Sequence, residues 1–172
     1  MKIMGPPTAA RKDIEFNLPK LTPHDRFLDE MVPELWDAAL FYGVDPVVMV
    51  AQSYKETGGG AFGGKVKPAF CNPCGLKNAQ SLFPGVDDDD NPLAHARFPN
   101  WRVGAIAMAQ HLRAYAGVYL PVDALILSPR YHFVVSANKP VASVEFLGGR
   151  WALSLTYGNE IVAIAKRLGA AV

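Results

Sequence analysis

The sequence predicts a mainly α-helical domain with a small irregular lobe, and three observations support this. Segments of helical periodicity, bounded by proline and glycine, occur in both halves of the chain. Of the 172 residues, 50% are hydrophobic and 19% are charged, which is typical of a globular protein. Between residues 59 and 99, Gly, Pro, Asn and Asp dominate and the helical periodicity is lost. We therefore expect a helical core, a lobe of loops with a short β-hairpin, and a cleft where the two meet.

The chain is predicted to form one domain over residues 1–172, with residues 1–20 as an N-terminal extension that packs on it or leads into it. Its formal net charge of +1 gives no reason to expect nucleic acid or a membrane surface as a partner. We also expect the protein to be a monomer. No apolar run is long enough to span a membrane, and the start lacks the apolar centre of a signal peptide. These features leave a cytoplasmic protein, one released by another route, or a domain excised from a longer chain.

The first helix is predicted to run from Thr22 to Gly43. Thr22 is the expected N-cap, and Pro23 would occupy the first helical position. Pro33 is expected to kink or restart the helix, because proline lacks the N–H that an interior position needs.

A second helix, with a clearer pattern, is predicted from the N-cap Asp45 to Gly58. Its expected buried face consists of Val47, Val50, Ala51 and Tyr54. Gln52 and Glu56 are four residues apart and share another face. Glu56 falls in the last turn, where the helix dipole disfavours a carboxylate. It is either a solvated surface charge or a carboxyl group needed for chemistry.

Two later helices are predicted over residues 102–117 and 158–169. Their expected buried stripes are Val103, Ile106, Ala107 and Gln110 in the first, and Ile161, Ile164, Ala165 and Leu168 in the second. Gln110 and His111 are interpreted as packed, hydrogen-bonded residues near the floor of the cleft. His132 is assigned to a loop without a role.

Cys71 and Cys74 have the spacing of a zinc-binding pair, and His95 follows them. A closed zinc site needs four ligands, however, and the chain contains only two cysteines. Two thiols that line the cleft, or a local disulfide, are therefore favoured over a metal site, and we expect no cofactor.

Several segments together resemble the bacterial and phage glucosaminidase domain family. They are VDPVVMVAQSYKETG, FGGKVKP, CNPCGLK, FPNWRVGAIAMAQHLRAYAG and LGGRWALSLTYGNEIVAIAKRL, in this order. Members are peptidoglycan hydrolases related to glycoside hydrolase family 73. The resemblance implies an α+β lysozyme-like fold and peptidoglycan glycan strands as the partner. It also implies cleavage of the β-1,4 bond after N-acetylglucosamine.

The resemblance also suggests site residues. The family pattern Ala-Gln-x-x-x-Glu-(Thr/Ser)-Gly makes Glu56 the matching catalytic acid, with Gln52 on the substrate side. Tyr157 matches a tyrosine that helps order the active site. The matching residues that line the substrate cleft are Asn72, Gly75, Leu76 and Lys77. The family often has an aromatic residue after the glycine of this pattern, whereas this chain has Gly59 and Gly60. We expect a flexible loop there and a sugar-stacking surface elsewhere, with Trp151 as a preferred candidate.

Glycoside hydrolysis needs an acid and a second group that activates water or stabilises the sugar cation. Desolvation and the helix dipole would both keep Glu56 protonated near neutral pH. The run GVDDDDNP offers Asp88, Asp89 or Asp90 as the second group, and we choose Asp89. The alternatives are the substrate's own acetamido group, a solvated acidic loop, or a calcium site, which no ligand spacing supports.

Two alternative functions remain open. A muramidase or a lytic transglycosylase could use the same fold and a single glutamate, and an inactive chain could serve as a wall-binding or phage structural module. A phage lysin released at lysis, or a domain excised from a secreted protein, would explain action on the cell wall without a signal peptide.

Overall fold

A computed structural model of the chain describes residues 1–78 and 94–171. The described part contains the α-helices α1 (Arg11–Asn17), α2 (Val32–Tyr42), α3 (Pro46–Thr57), α4 (Trp101–Tyr115), α5 (Tyr131–Ala137) and α6 (Tyr157–Arg167). It also contains short 3₁₀ turns at Leu18–Leu21, Pro68–Phe70 and Val144–Leu147, and a π-helical segment at Phe27–Met31. Pairing between extended segments is limited, in these ranges, to isolated bridges. The mainly α-helical prediction is therefore confirmed.

Helix α3 lies at the centre of the molecule. It contacts α2 and α6, and α2 in turn contacts α4. Every residue from position 46 to position 53 is buried, so this helix has no solvent-exposed face over its first two turns. The predicted buried face was therefore too narrow, because neighbouring elements cover this helix on several sides, including the polar residues Gln52 and Ser53.

Both ends of α3 were predicted correctly. Asp45 is the N-cap, and its Oδ1 accepts a hydrogen bond from the backbone N–H of Val47 at 2.9 Å. Gly58 ends the helix with a φ of +59°, in the left-handed region that glycine enters without steric cost. Glu56 is thereby fixed in the last turn, as the sequence indicated.

The start of the first predicted helix was wrong. Thr22 has a φ of +53° and ends the 3₁₀ turn at Leu18–Leu21, and helical structure begins only at Asp25. The π-helical segment then leads into α2, with Pro33 in the first turn of that helix. Since proline has no N–H to donate, the chain restarts its hydrogen-bond pattern at this point, as the sequence predicted. Gly43 ends α2 in the left-handed region.

The N-terminal residues pack on the helical core. Ile3, Ile14 and Leu18 are at most 1% exposed. The backbone N–H of Asp45 donates to the carbonyl of Ile3, and the Thr8 hydroxyl donates to Asp45 Oδ2 at 2.8 Å. The first residues therefore hold the beginning of α3 in place.

The C-terminal half differs from the predictions in two helix assignments. Helix α4 begins one residue early, capped by Asn100, and ends at Tyr115 rather than at Gly117. Helix α5 was not predicted, and the assignment of His132 to a loop was wrong. With seven residues, α5 is too short to give a clear helical period, and the same holds for α1. Helix α6 buries its expected stripe, with Ile161, Ala165 and Leu168 fully buried and Ile164 partly buried.

The irregular lobe contains an antiparallel pairing of residues 76–78 with residues 94–96. The N–H of Asn78 donates to the Ala94 carbonyl at 2.7 Å, and the N–H of Ala96 donates to the Leu76 carbonyl at 2.8 Å. Lys77 and His95 form the bridge between them. This pairing agrees with the predicted hairpin where the chain is described. No helix in the described ranges is long and apolar enough to cross a membrane.

Candidate active site

A hydrogen-bonded chain links the ends of α3 and α6. Tyr157, the first residue of α6, donates its hydroxyl hydrogen to Glu56 Oε1. The same hydroxyl oxygen accepts a hydrogen bond from Gln52 Nε2 at 2.9 Å. Tyr157 is 3% exposed and Gln52 is fully buried, so both support Glu56 from below the protein surface. The structure therefore brings together the three residues that the sequence placed at the site.

Glu56 opens into a cavity of about 610 Å³ between the helical core and the lobe. The lining also includes Gly75, Lys77 and Trp151, all of which were predicted to bind substrate. Among the described lining residues, Glu56 is the only carboxylate. A Cβ atom at Gly75 would lie 3.7 Å from Glu56 Oε2, so the glycine keeps the approach to this oxygen open.

The environment of Glu56 favours its protonated form. The side chain is exposed to the cavity, but protein atoms crowd its other sides, and this desolvation raises the pKa of its carboxyl group. The hydrogen bond from Tyr157, the charge of Lys55 and the Trp151 indole N–H all lower this pKa, but they do not outweigh desolvation. Lys55 also pairs with Glu160, which partly neutralises its charge.

Two predicted substrate-binding residues lie beneath the cavity surface. Asn72 is fully buried, and its side-chain amide donates to the carbonyls of Leu76 and Ala96 at 2.9 and 3.0 Å. Gln52 is likewise fully buried. We therefore correct the prediction that these two side chains bind substrate: both are buried, Asn72 bonds to backbone groups of the lobe, and the Gln52 amide nitrogen donates to Tyr157. Leu76 lines a neighbouring cavity rather than the one that contains Glu56.

Backbone conformation and close packing explain why glycines follow α3. Gly59 and Gly60 have φ values of +62° and +87°, and a Cβ atom at Gly60 would lie 2.9 Å from Phe27 Cβ. Phe62, two residues further on, lines the same cavity as Glu56. Phe62 is only 7% exposed and packs on Trp101, so among these two aromatic residues Trp151 offers the larger surface to the cavity. Phe62 was not predicted as a site residue, because nothing in its local sequence pattern separates it from a core residue.

Both cysteines are free thiols in the structure. Cys74 lines the cavity next to Glu56, and burial raises the pKa of its thiol. This agrees with the interpretation of a thiol at the cleft. Within the described ranges, no three His, Cys, Asp or Glu side chains converge in a way that could hold a metal ion. The predicted second catalytic residue, Asp89, lies outside the described residues, as do Asp88 and Asp90.

Comparison with known proteins identifies the family. The family model for glucosaminidases, described as mannosyl-glycoprotein endo-β-N-acetylglucosaminidase, matches residues 32–170. The chain belongs to the glucosaminidase family. Searches of curated proteins and of solved structures found no match.

Family membership confirms the resemblance recognised in the sequence. This glucosaminidase is a glycoside hydrolase of the endo-β-N-acetylglucosaminidase type, and the family indicates peptidoglycan as its substrate. The match begins at residue 32, although Ile3, Ile14 and Phe27 also belong to the hydrophobic core. The segment before the matched region is therefore part of the folded unit that carries the site.

Proposed function

We propose that this glucosaminidase cleaves the β-1,4 bond after N-acetylglucosamine in peptidoglycan, with Glu56 as the general acid. Glu56 Oε1 accepts the hydrogen bond from Tyr157, and Oε2 lies on the side of Gly75, so we assign the transferred proton to Oε2. That oxygen would protonate the glycosidic oxygen as the bond to the anomeric carbon breaks. The observation that carries this proposal is geometric: Glu56, bound by Tyr157, is the only carboxylate among the described residues that line the cavity. Desolvation raises the pKa of its carboxyl group, which favours the protonated form that an acid catalyst needs.

Tyr157 and Gln52 act as positioning residues in this proposal. The Tyr157 hydroxyl binds one carboxyl oxygen, and Gln52 fixes that hydroxyl from the opposite side. A carboxyl group held on one oxygen has a defined direction for proton donation, which is the geometric requirement of general acid catalysis. Trp151 would contact the flat face of a sugar ring.

The second catalytic group has two candidates. No further carboxylate among the described residues lines the Glu56 cavity, which favours a group from elsewhere. It is either Asp89, acting on a water molecule, or the acetamido group of the substrate, acting as an internal nucleophile. Asp89→Asn separates them: a loss of about 10²-fold or more in kcat supports the aspartate, and unchanged kcat supports the acetamido group.

The decisive experiment compares wild type and Glu56→Gln on purified peptidoglycan. Loss of the general acid should reduce the rate by roughly 10²–10⁴-fold. Glu15→Gln, an exposed residue of α1 paired with Arg11, is the matched control and should retain full activity. Equal activity of wild type and Glu56→Gln would refute the catalytic assignment. Binding of peptidoglycan without any cleavage by the wild type would instead favour a wall-binding module.

Analysis of the products separates the related enzymes. Reducing N-acetylglucosamine ends on the released fragments support the proposed bond. Reducing N-acetylmuramic acid ends would indicate a muramidase, and 1,6-anhydromuramic ends would indicate a lytic transglycosylase. Since the substrate is a polymer of the cell wall, we propose that the domain acts at the wall. We also propose that it acts as a monomer. It would reach the wall at phage lysis or as part of a secreted protein.

A further inference from the structure

A second cavity, of about 390 Å³, adjoins the one that contains Glu56. The two cavities share the lining residues Cys74, Gly75, Lys77, Trp151 and Ala152. Because they share this wall, a ligand longer than one sugar ring could extend from Glu56 into the second cavity. This cavity is called the side cavity below.

The side cavity is lined by three cationic side chains, Lys77, Arg130 and Arg150. No Asp or Glu of the described ranges lines it, although the whole chain has 17 Lys and Arg against 16 Asp and Glu. Neither arginine forms an ion pair with a carboxylate in the described part of the chain. Among the described residues, the charges of Arg130 and Arg150 are therefore not balanced by a carboxylate.

Both guanidinium groups are held at the cavity by contacts that leave N–H donors available. Arg130 lies over the ring of Phe133 at 4.6 Å. Arg150 Nη1 donates to the Lys139 carbonyl at 3.1 Å. A guanidinium group carries five N–H donors, so neither contact uses its full capacity. The charges of both arginines act on the hydroxyl group of Tyr115: they lower its pKa, although burial raises it by more. The two positive charges therefore lie near the same phenol ring.

An aromatic wall completes the side cavity. Trp151 packs against His111 and Tyr115, with ring centroids 5.0 and 5.5 Å apart. Burial lowers the pKa of His111 to about 3, so this ring is neutral at physiological pH. The positive charge consequently comes from the arginines and Lys77, while the wall itself is uncharged. A flat uncharged wall beside two guanidinium groups suits a ligand that combines an apolar or saccharide face with an anionic group.

We propose that the side cavity binds a carboxylate of the peptide stem carried by the glycan strand. This inference rests on the proposed function, because it assigns the cavity to the same substrate. In a strand that carries stems, the lactyl carboxyl group of each N-acetylmuramic acid is bound in the amide to its stem, so the sugars are neutral and the free carboxylates lie on the peptides. Guanidinium groups bind carboxylates through paired, charge-assisted hydrogen bonds, so Arg130 and Arg150 supply the matching donors. The enzyme would then prefer strands that carry stems over bare strands.

Binding by the Glu56→Gln variant tests the inference without cleavage. The ligands are soluble, uncrosslinked glycan strands free of wall phosphate polymers, either with peptide stems or stripped of them. Stripping uses an amidase, followed by chemical amidation of the lactyl carboxylates that this hydrolysis exposes on the muramic acid residues. Titration calorimetry should give about tenfold or tighter binding of the stem-bearing strands, as expected for one or two charge-assisted hydrogen bonds. Adding Arg130→Gln and Arg150→Gln should abolish this difference and leave affinity for the stripped strands unchanged.

The control adds Arg102→Gln and Arg167→Gln instead, which remove two exposed charges outside the side cavity. This control should keep the tenfold preference. A further measurement uses the Glu56→Gln protein alone, with stem-bearing strands whose carboxylates have been chemically amidated. The affinity for these strands should fall to that for stripped strands. Raising the salt concentration should also narrow the preference, because ions screen exposed charge pairs.

Equal affinity of Glu56→Gln for stem-bearing and stripped strands would overturn the inference, as would a preference that survives amidation. Failure of the proposed function gives a different result. In that case the wild type would cleave neither strand, while the affinity difference and its loss in the Arg130 and Arg150 variants would persist.

Discussion

The hydroxyl group of Tyr157 donates a hydrogen bond to Glu56 Oε1, which joins the first residue of α6 to the last turn of α3. These residues are 101 positions apart in the chain. The contact depends on the packing of α6 against α3 and on Gln52, which binds the same hydroxyl group. The orientation of the proposed acid is therefore a property of the helical core rather than of the loops around the cleft.

Tyr157→Phe removes this hydrogen bond and should reduce kcat about tenfold, which corresponds to roughly 1.4 kcal/mol of lost positioning. The hydrogen bond stabilises the ionised carboxylate and lowers the pKa of Glu56, so its loss raises that pKa further. Because the acid must be protonated, the alkaline limb of the pH–rate profile should move to higher pH. Tyr54→Phe is the control, since the Tyr54 hydroxyl bonds to the Leu21 carbonyl. A change in KM alone, with the alkaline limb of the pH–rate profile at its wild-type position, would contradict the positioning role.

Glu56→Gln should make the protein more stable at neutral pH. Desolvation raises the pKa of Glu56 in the folded state above its unfolded value, so ionisation costs folding free energy as the pH rises through the folded pKa. The neutral amide avoids this cost. We expect a Tm increase of about 1–3 °C at pH 7.5, kept small by contact of the carboxylate with water, and no increase near pH 4. Thermal melts of both proteins at the two pH values give the comparison. A variant that melts below wild type at pH 7.5 would refute the desolvation argument.

The local signals around α3 predicted its ends, its N-cap and the place of Glu56, because capping and helix termination depend on neighbouring residues. Asp45, Pro46 and Gly58 act within one turn of their own positions. Thr22 shows where this reasoning fails. It has the composition of an N-cap, but the preceding 3₁₀ turn holds it in the left-handed region, and no local pattern indicates that turn.

The side cavity could not be predicted from the sequence, because its parts come from distant segments. Arg130 precedes α5, Arg150 follows the 3₁₀ turn at Val144–Leu147, and His111 lies in α4. Trp151 and His111 were predicted to have separate roles, and neither arginine was predicted to have one. Only tertiary packing brings these side chains to one wall. The family pattern selected Gln52 and Asn72 as substrate-binding residues, but the structure places both side chains in the interior, which the pattern alone could not indicate.

Asp45→Ala should destabilise the protein by about 2–4 kcal/mol, which combines the loss of an N-cap with that of buried hydrogen-bond acceptors. Asp45 is 1% exposed and accepts hydrogen bonds from Val47, from the Thr8 hydroxyl and from the Thr8 N–H. Asp45→Asn retains a capping oxygen and should cost less. Asp37→Ala, at an exposed position of α2, should change stability by under about 0.5 kcal/mol. Urea denaturation of the three variants would contradict this account if Asp45→Ala and Asp37→Ala had equal midpoints.

Gly104→Ala tests whether α4 positions the lobe that faces Glu56. On helix propensity alone, alanine should stabilise an interior helical position by up to about 1 kcal/mol. A Cβ atom at Gly104 would lie 2.0 Å from the carbonyl oxygen of Cys71 and 3.0 Å from Pro73 Cδ, so the segment that leads to Gly75 must move. We expect a loss of about 1–3 kcal/mol in unfolding free energy, as for an overpacked core. We also expect up to about 10²-fold lower kcat, because small displacements next to an acid catalyst are costly. Urea denaturation gives the change in unfolding free energy, and kinetics give the change in kcat. A stabilised and fully active variant would show that Gly104 does not hold the lobe against α4.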